Sequence, residues 1–436
     1  MQAFEINDSD GSYVELANIT PSLVDVLSIK WVAKKGDKTV DVKLTEGVTF
    51  PLLLQPTPLL SKATHRKIYF DDDPEFRKDY HLEVVARVTG AQETVKTKVA
   101  SYYGALTGNP IPVSSLQQQA SKHKQYLQIN ATSRTMTIEP GRGKVDEMIV
   151  VPKGVALEMS AAPILQFTGG AGIIAHGSLR FEGKENSRVR LEGVNGESWP
   201  GVAVLNADEA STLSHVLIKG TKGMASPGWS LTGGVTFYNS DVNINDSILE
   251  DSRGEDALNI IHSNFTLDNV TIRKTASDAF DADFSTGSVV GGLYEDIGLA
   301  GGGDAIDVSG SEITVENTRF INIDDKAVSV GEQSNLQASG LDIDGVGTGA
   351  ASKDASVLKL TSSKIHNARV AGLMAYIKKP EFGPGRIIAS TVEFGDGFEK
   401  ARVQKGSSIS IDENEIETVD IDVKDMYKTV MKKGLR

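Results

Sequence analysis

The chain has 436 residues, of which 39% are hydrophobic, 24% charged and 6% aromatic, and 43 are glycine. This composition is typical of a folded protein with many tight turns and excludes a disordered chain. A net charge of −13 argues against a protein that binds nucleic acid, because phosphate recognition needs clustered Lys and Arg. The absence of cysteine excludes disulfides, thiol catalysis and thiolate metal sites.

The first 125 residues contain strand-like runs separated by Pro and Asp turns, among them Ser12–Leu16, Val40–Leu44 and His81–Val88. These runs predict a small β-sandwich-like domain. Residues Gln117 to His123 are then expected to form a linker. The sequence shows neither a basic segment followed by an apolar run at its start nor a stretch of 18 apolar residues, so it predicts no signal peptide and no membrane span.

A five-residue unit recurs along the middle of the chain: a charged residue, then Ala, then alternating apolar and mainly polar residues. Its copies are Asp256–Ile260, Asp278–Ala282, Asp304–Val308 and Lys326–Val330, whose starts are 22, 26 and 22 residues apart. Counting 22 residues further in each direction predicts that Gly234 and Thr348 begin two more coils in the same register. An internal period of this length is typical of a solenoid.

Each coil continues with a second run of alternating residues, as in Phe265–Ile272 and Ile313–Phe320. Such short strands cannot bury an inner face alone, so successive coils must stack with parallel strands about 4.8 Å apart. The sequence therefore predicts an all-β protein with three parts. These are a β-sandwich-like domain at 1–125, a right-handed parallel β-helix at 126–398, and a C-terminal strand and tail at 399–436.

The alternation within the repeats assigns side chains to the two faces of the strands. Those expected to point into the core are Leu258, Ile260, Phe280, Ile306, Val308, Val328 and Val330. Two outward rows lie between them, the first with Asn259, Asp281, Asp307 and Ser329, the second with Ile261, Asp283, Ser309, Gly331 and Lys353. Residues Lys219 to Trp229 exceed the repeat and are predicted to protrude as a loop.

Aspartates are concentrated on these coils. At the corner positions Asp256, Asp278 and Asp304 have a structural explanation, since Asp caps the backbone of turns. On the outward face, carboxylates stacked about 5 Å apart repel each other unless a cation or a Lys compensates. We therefore predict a Ca²⁺ site, because this cation takes several oxygen ligands in flexible geometry. Its predicted ligands are Asp281, Asp283, Asp307 and Asp304, and the alternative is a solvated acidic face.

Lys326 occupies the corner position that Asp fills in the three preceding coils, so it should lie next to Asp304 and close to Asp325. It is either one partner of a salt bridge or a base whose pKa its neighbours tune for proton removal. Lys353 is the second candidate for this base, although its strand position lies roughly 14 Å from that of Asp283.

Candidate residues for holding a glycan come from outside the repeats. Lys378 and Lys379 are the best local basic pair for an acidic glycan, and a solvated turn is the alternative. Trp229 and Tyr376 could stack on sugar rings, or could pack in the core or at a corner. His262 and His366 lack the spacing of metal ligands and are expected to be surface or packing residues.

The aspartate-rich coils resemble the right-handed β-helix proteins that include pectate lyases, polygalacturonases and alginate epimerases. The run from Glu255 to Val330, with Ala351–Asp354 and Tyr376–Pro384, is also similar to β-helix domains found beside spore-coat-type kinase modules in bacterial envelope proteins. The kinase module is absent here. So are the paired Asp and Gly-His-Gly set of polygalacturonases and the Asp-Pro-His-Asp segment of alginate epimerases.

The pectate-lyase resemblance implies a Ca²⁺ ion that grips a uronate carboxylate while a Lys or Arg removes the C5 proton before β-elimination. Asp281, Asp283 and Asp307 would be the ligands and Lys326 the base. We therefore predict a secreted, periplasmic or cell-surface protein that engages polysaccharide, anionic polysaccharide included, as a Ca²⁺-dependent lyase or epimerase. The alternative is a non-catalytic scaffold, adhesin or glycan-binding partner of another envelope protein.

Overall fold

The computed structural model describes residues 1–8, 11–36, 38–45, 47–57, 65–71, 79–101, 111–160, 162–226 and 229–429. They form two compact units, one of residues 1–111 with 226–229, the other of residues 112–225 with those from 230 onward. Regular structure in both is almost entirely β-strand. The predicted fold class, a right-handed parallel β-helix with a small N-terminal β-sandwich-like domain, is confirmed.

The first unit contains two sheets. One consists, in spatial order, of His65–Tyr69, Gly11–Ala17, Gln2–Asp8 and Ala100–Ser101. The other consists of Thr39–Asp41, Val24–Ala33, Tyr80–Val88 and Val95–Lys98, with Leu52–Leu54 also paired to Val24–Ala33. Side chains of both sheets, such as Leu16 and Val84, are buried in one shared core. Burial of apolar side chains between the two sheets stabilises this sandwich-like unit.

The second unit is a β-helix whose coils contribute strands to three stacked sheets. Sheet A consists of Ile149–Val151, Ile173–Ala175, Val202–Leu205, Gly233–Tyr238, Asp256–Ile261, Asp278–Asp283, Ile306–Ser309, Ala401–Gln404 and Thr418–Val419. Sheet B consists of Leu127–Asn130, Thr135–Ile138, Ala156–Ser160, Leu179–Glu182, Ser211–Ser214, Val242–Asn245, Asn264–Asp268, Thr286–Val290, Glu312–Glu316, Asn335–Ser339, Ser408–Ile411 and Asn414–Glu415. Sheet C consists of Arg142–Val145, Ile164–Phe167, Val189–Gly193, Val216–Lys219, Ile248–Glu250, Thr271–Arg273 and Leu293–Ile297.

Four long strands continue around corners and join more than one sheet. Arg319–Gly331 and Asp342–Lys353 run from sheet C into sheet A, and Arg386–Phe394 runs from sheet B into sheet C. Val357–Tyr376 passes through all three sheets. At the corner between sheets C and A the pairing register shifts, between Ile323 and Lys326 in one strand and between Val346 and Thr348 in the next.

The predicted register of the coils is confirmed with one exception. Phe280 pairs with Leu258 and Ile306, and Lys326 pairs with Thr348. The predicted inward residues are all fully buried in one apolar core that runs the length of the solenoid. The predicted start at Gly234 is wrong by one residue. Gly233 pairs with Asp256, because the intervening coil has 23 residues.

Short helices lie near both ends of the β-helix. The predicted linker is instead a helix, Leu116–Lys122, with Ser115 as its N-cap. Its buried Gln119 accepts a hydrogen bond from the backbone N–H of Val150, which satisfies a polar group at the end of the stack. The second helix, Val423–Thr429, buries Met426 against Met374 and its neighbours on sheet A. Residues 430–436 of the predicted tail lie outside the described residues.

The segment predicted to protrude as a loop contains two short strands, Met224–Ser226 and Trp229–Leu231, which pair with each other. Residues 227 and 228 lie outside the described residues. A single 3₁₀ turn among the described residues spans Val194–Gly196. In the part of the chain that the structure covers, no helix is long and apolar enough to cross a membrane.

Candidate functional site

Aspartates of sheet A occupy two neighbouring rows on its outer face, in the predicted order. The first row, paired coil to coil, is Asn259, Asp281, Asp307 and Ser329. The second row is Tyr238, Ile261, Asp283, Ser309 and Gly331. Adjacent members of a row lie about 4.8 Å apart, so the carboxyl groups are close enough to affect one another's ionisation.

The corner aspartates cap the backbone of the next coil, as one reading of the sequence predicted. An Oδ1 atom of Asp278 accepts a hydrogen bond of 2.8 Å from the N–H of Asp304, and Asp304 accepts one of 2.9 Å from the N–H of Lys326. Asp256 instead accepts from the side-chain amide of Asn259 at 3.1 Å. Asp278 and Asp304 therefore hold successive coils together and are part of the scaffold of the site.

Lys326 is buried, with 2% of its surface exposed, and forms ion pairs with two aspartates. Its Nζ lies 3.0 Å from Oδ1 of Asp304 and 2.6 Å from Oδ2 of Asp325. Burial by itself would lower the pKa of Lys326, but the two carboxylates outweigh it and hold the pKa well above its ordinary value. The predicted neighbours of Lys326, which are Asp304 and Asp325, are confirmed. A lysine paired in this way is a poor base, so these contacts favour the salt-bridge interpretation of Lys326.

Lys353 reaches back along the sheet over a glycine. Its Cε would lie 2.7 Å from a Cβ placed on Gly331, so only glycine leaves room for it there. Its Nζ donates to Oγ of Ser329 at 2.8 Å and lies 3.3 Å from Oδ1 of Asp307. Burial opposes the charge, but Asp307 prevails and raises the pKa of Lys353. Lys353 is therefore also a poor base, and its contact identifies it as the partner of Asp307.

The carboxyl groups on the outer face have pKa values shifted in opposite directions. Burial, reinforced by neighbouring carboxylates, raises the pKa of Asp278 to about 8 and that of Asp283 to about 7, and raises that of Asp281 well above its usual range. Burial also acts on Asp307, but Lys353 and then Lys326 outweigh it and lower its pKa. The pKa of Asp283 thus lies near neutral pH, while the pKa of nearby Asp307 is held below its usual value.

The four predicted Ca²⁺ ligands do not form one group. Asp304 is engaged by Lys326 and Asp307 by Lys353, whereas Asp281 and Asp283 have no lysine contact among the described residues. In that part of the chain no three Asp, Glu or His side chains are placed to hold a metal ion. The buried Oδ1 of Asn259, next to Asp281 in the first row, has no hydrogen-bond partner among the described residues. In the described part of the chain, the oxygens of Asp281, Asp283 and Asn259 are thus without a lysine partner, and the Ca²⁺ site stays a prediction.

Lys378 and Lys379 lie beside the outward rows on a turn that a buried aspartate fixes. Oδ1 of Asp354 accepts hydrogen bonds of 2.7 Å from both of their backbone N–H groups. The ammonium of Lys379 pairs with Glu332, and that of Lys378 lies 5.1 Å from the ring centre of Tyr427. The charge of Lys379 acts on the pKa of Asp283 and that of Lys378 on the pKa of Asp307, which places both lysines near the rows.

One of the two aromatic residues predicted to stack on sugars, Tyr376, has no exposed ring for that role. Tyr376 is fully buried, and its hydroxyl shares a hydrogen bond of 2.7 Å with that of Tyr427, so its ring packs under the C-terminal helix. That prediction is wrong, because Tyr376 points into the apolar layer between strand and helix. Trp229 is half-buried on its short strand and belongs to the first unit.

Sequence reasoning missed Asp354, Glu332 and Tyr427 as parts of the site. Asp354 directly follows Lys353, and Glu332 follows the second-row Gly331, so extending the repeat past the strand ends would have found both. Tyr427 lies 51 residues from its partner Tyr376, and no periodic signal links the two.

No protein-family model matches the chain, and no curated protein matches it. A solved structure that is similar is the catalytic unit of a thermostable GH87 α-1,3-glucanase from Streptomyces thermodiastaticus strain HF3-3. The two chains share 13% identity, 91% of each is covered, and the TM-score is 0.33. A likeness this distant carries no argument about chemistry, so the function must be argued from the site.

Proposed function

We propose that this protein cleaves glycosidic bonds in a polysaccharide, with Asp283 as the general acid and Asp307 as the general base. The observation that carries the proposal is the opposite pKa shift of the two carboxyl groups. Burial raises the pKa of Asp283 to about 7, whereas Lys353 keeps that of Asp307 low despite burial. Glycosidic cleavage requires one protonated and one ionised carboxyl group, and both forms coexist here near neutral pH.

The positions of the two carboxyl groups favour inversion at the anomeric carbon. Asp307 pairs with Asp281, and Asp283 lies two residues further along the neighbouring strand. Coil spacing and strand rise put the Cα atoms of such diagonal positions roughly 8 Å apart, and both side chains leave the same outer face of the sheet. Inverting glycosidases separate their two carboxyl groups by about 6.5–9.5 Å, which leaves room for a water molecule. In this reaction Asp283 protonates the leaving oxygen while Asp307 takes a proton from the attacking water.

A polymeric and acidic substrate fits the surroundings of this pair. The two outward rows continue over several coils on either side of Asp283, so a long chain can lie along them. Lys378 is exposed at one side, and Lys379 lies next to it. Their charges would offset a uronate carboxylate near the otherwise acidic rows.

The test is incubation with a panel of neutral and uronate-containing polysaccharides, followed by reducing-end analysis and by NMR of the newly formed anomeric centre. Asp283→Asn and Asp307→Asn are each expected to reduce cleavage by at least about 100-fold, as for loss of a general acid or base. The matched control is Asp268→Asn, an exposed aspartate on sheet B. Full activity in either active-site variant, or the absence of any cleavage by the unaltered protein, would sink the proposal.

A second candidate is the Ca²⁺-dependent lyase or epimerase that the resemblance implies. The crowding of Asp281 and Asp283 favours this Ca²⁺-dependent candidate, because a cation would offset their charges. The buried Oδ1 of Asn259, which has no hydrogen-bond partner among the described residues, lies close by. A bound Ca²⁺ would neutralise the uronate carboxylate, as in the pectate-lyase-like proteins. Calorimetric titration with Ca²⁺ and absorbance of unsaturated products distinguish this candidate, since hydrolysis forms no double bond. Products without that absorbance, and no heat of binding, would exclude it.

The cellular setting follows from the substrate. A protein that processes polysaccharide is expected to be secreted, periplasmic or at the cell surface, where an envelope protein could be its partner. If the protein binds a polysaccharide but leaves it intact, the scaffold or adhesin alternative replaces the enzyme.

A further inference from the structure

Three aromatic side chains form a continuous stack at the end of the acidic strands. The ring of His262 lies over that of Phe284, with centroids 5.0 Å apart and planes inclined by 16°. Tyr238 meets His262 edge to face at 6.1 Å. We call these three residues the aromatic strip. They come from three successive coils of sheet A, so their rings follow the axis of the β-helix.

The strip interrupts an asparagine ladder. In the two coils before that of His262, the same corner position holds Asn206 and Asn239, both with positive φ and joined by a side-chain hydrogen bond of 3.0 Å. Asparagine tolerates this left-handed backbone, and its side-chain amide forms a hydrogen bond with the asparagine of the adjacent coil, so it is the expected corner residue. In the next two coils His262 and Phe284 take its place with φ of 51° and 49°.

Phenylalanine is poorly suited to this corner. A bulky residue with positive φ is strained, and strain of this kind is retained where it serves a purpose beyond stability. Tyr238 is 40% exposed, and Phe284 is half-buried on the surface, so the rings do not belong to the core. The corner that follows in the next coil is Gly310, which has no side chain, so the stack ends at Phe284.

The strip is continuous with the proposed acid–base pair. Phe284 directly follows Asp283, and Tyr238 occupies the second outward row with Asp283 two coils away. The backbone N–H of His262 donates to the carbonyl of Asp283 at 2.9 Å, which ties the backbone of the strip to that of Asp283. Sugar rings present an apolar C–H face that packs on aromatic rings, while their hydroxyls need polar neighbours such as these aspartates.

We propose that the aromatic strip is a sugar-binding subsite that holds the polysaccharide along the helix axis beside Asp283. This inference rests on the proposed function and adds where the substrate lies. The sugar to be bound is a pyranose within a longer chain, which packs on the face of Phe284 that His262 leaves uncovered while the chain continues past the edges of the other two rings.

The test uses the double variant His262→Asn/Phe284→Asn, which continues the asparagine ladder and so preserves the corner. Binding to polygalacturonate, alginate and a neutral β-glucan is measured by affinity electrophoresis, and cleavage is measured in parallel. The dissociation constant or KM for the bound polysaccharide should rise roughly ten- to a hundredfold, as for loss of two stacked rings, while kcat is largely kept. The midpoint of thermal unfolding should stay equal or rise. His366→Asn, a half-buried histidine elsewhere on the solenoid, is the matched control.

The outcomes separate the two proposals. Unchanged affinity and KM in the double variant overturn the subsite but leave the acid–base pair intact. Binding that depends on the strip without any cleavage supports the subsite and overturns the proposed function. If the unaltered protein binds none of the three polysaccharides, the subsite is overturned as well. A dimer in light scattering that the double variant loses would identify a second copy of the chain as the occupant, and would also overturn the subsite.

Discussion

Replacing Lys353 with Met removes the cation beside Asp307 and keeps most of the length of the side chain. The Nζ of Lys353 lies 3.3 Å from Oδ1 of Asp307. At this distance two unit charges interact by about 1 kcal/mol in bulk water and by about 5 kcal/mol at an effective dielectric constant of 20, or about 1 to 4 pH units. Because 23% of the Asp307 side chain is exposed, screening favours the lower half of that range. We expect the pKa of Asp307 to rise by about 1 to 2 units.

This shift is measured in two ways. Titration of ¹³C-labelled aspartate carboxyl groups by NMR, with the Asp307→Asn variant for assignment, reports the pKa without any substrate. Once a substrate is known, the acid limb of kcat/KM against pH should move upward by the same amount, because the base must be ionised. Lys364→Met is the control, since it removes an exposed ion pair with Glu393. An unchanged titration of Asp307 in Lys353→Met would refute the assignment of Lys353 as the group that keeps Asp307 ionised.

Further predictions concern the scaffold of the site. Gly331→Ala should shift the titration of Asp307 in the same direction as Lys353→Met, because its Cβ would displace the Lys353 side chain; a normal titration would contradict this. Lys326→Met should lower the free energy of unfolding by about 3–5 kcal/mol in urea denaturation, since it leaves buried carboxylates unpaired, and a loss below about 1 kcal/mol would show that the pairs are not needed. The raised pKa of Asp278, about 8, means that the unfolded state ionises more readily, so stability should fall as pH rises from about 4 through 8. Asp278→Asn should therefore stabilise the protein at pH 8 more than at pH 5, and an equal effect at both pH values would argue against this reasoning.

Much of the candidate site could be derived from the repeat. Because a β-strand alternates its faces, the spacing between copies was enough to place Asp281 beside Asp307 and Lys326 beside Asp304, and both placements are confirmed. The protonation of Lys326 could not be derived, since it depends on how much water is excluded around three charged groups. Sequence spacing predicts a long separation of Lys353 from Asp283, and it does not indicate that the flexible side chain crosses Gly331 to reach Asp307.

The aromatic strip shows a second kind of limit. The sequence indicates only that His262 is an isolated surface or packing residue, because nothing in its own coil points to a partner. Its neighbours Tyr238 and Phe284 lie in adjacent coils at slightly different positions of the repeat, and only the stacking of coils brings the rings together.

By itself, the sequence determined the fold class, the faces of the strands and the pairs of residues that follow one another along the outer rows. These depend on local alternation and a fixed period, which any single coil expresses. Only the tertiary structure decided which carboxyl groups are protonated, where Lys353 ends and how Tyr427 covers Tyr376. Those properties depend on burial and on contacts between distant segments. Such contacts exist only once the coils and the C-terminal helix are packed.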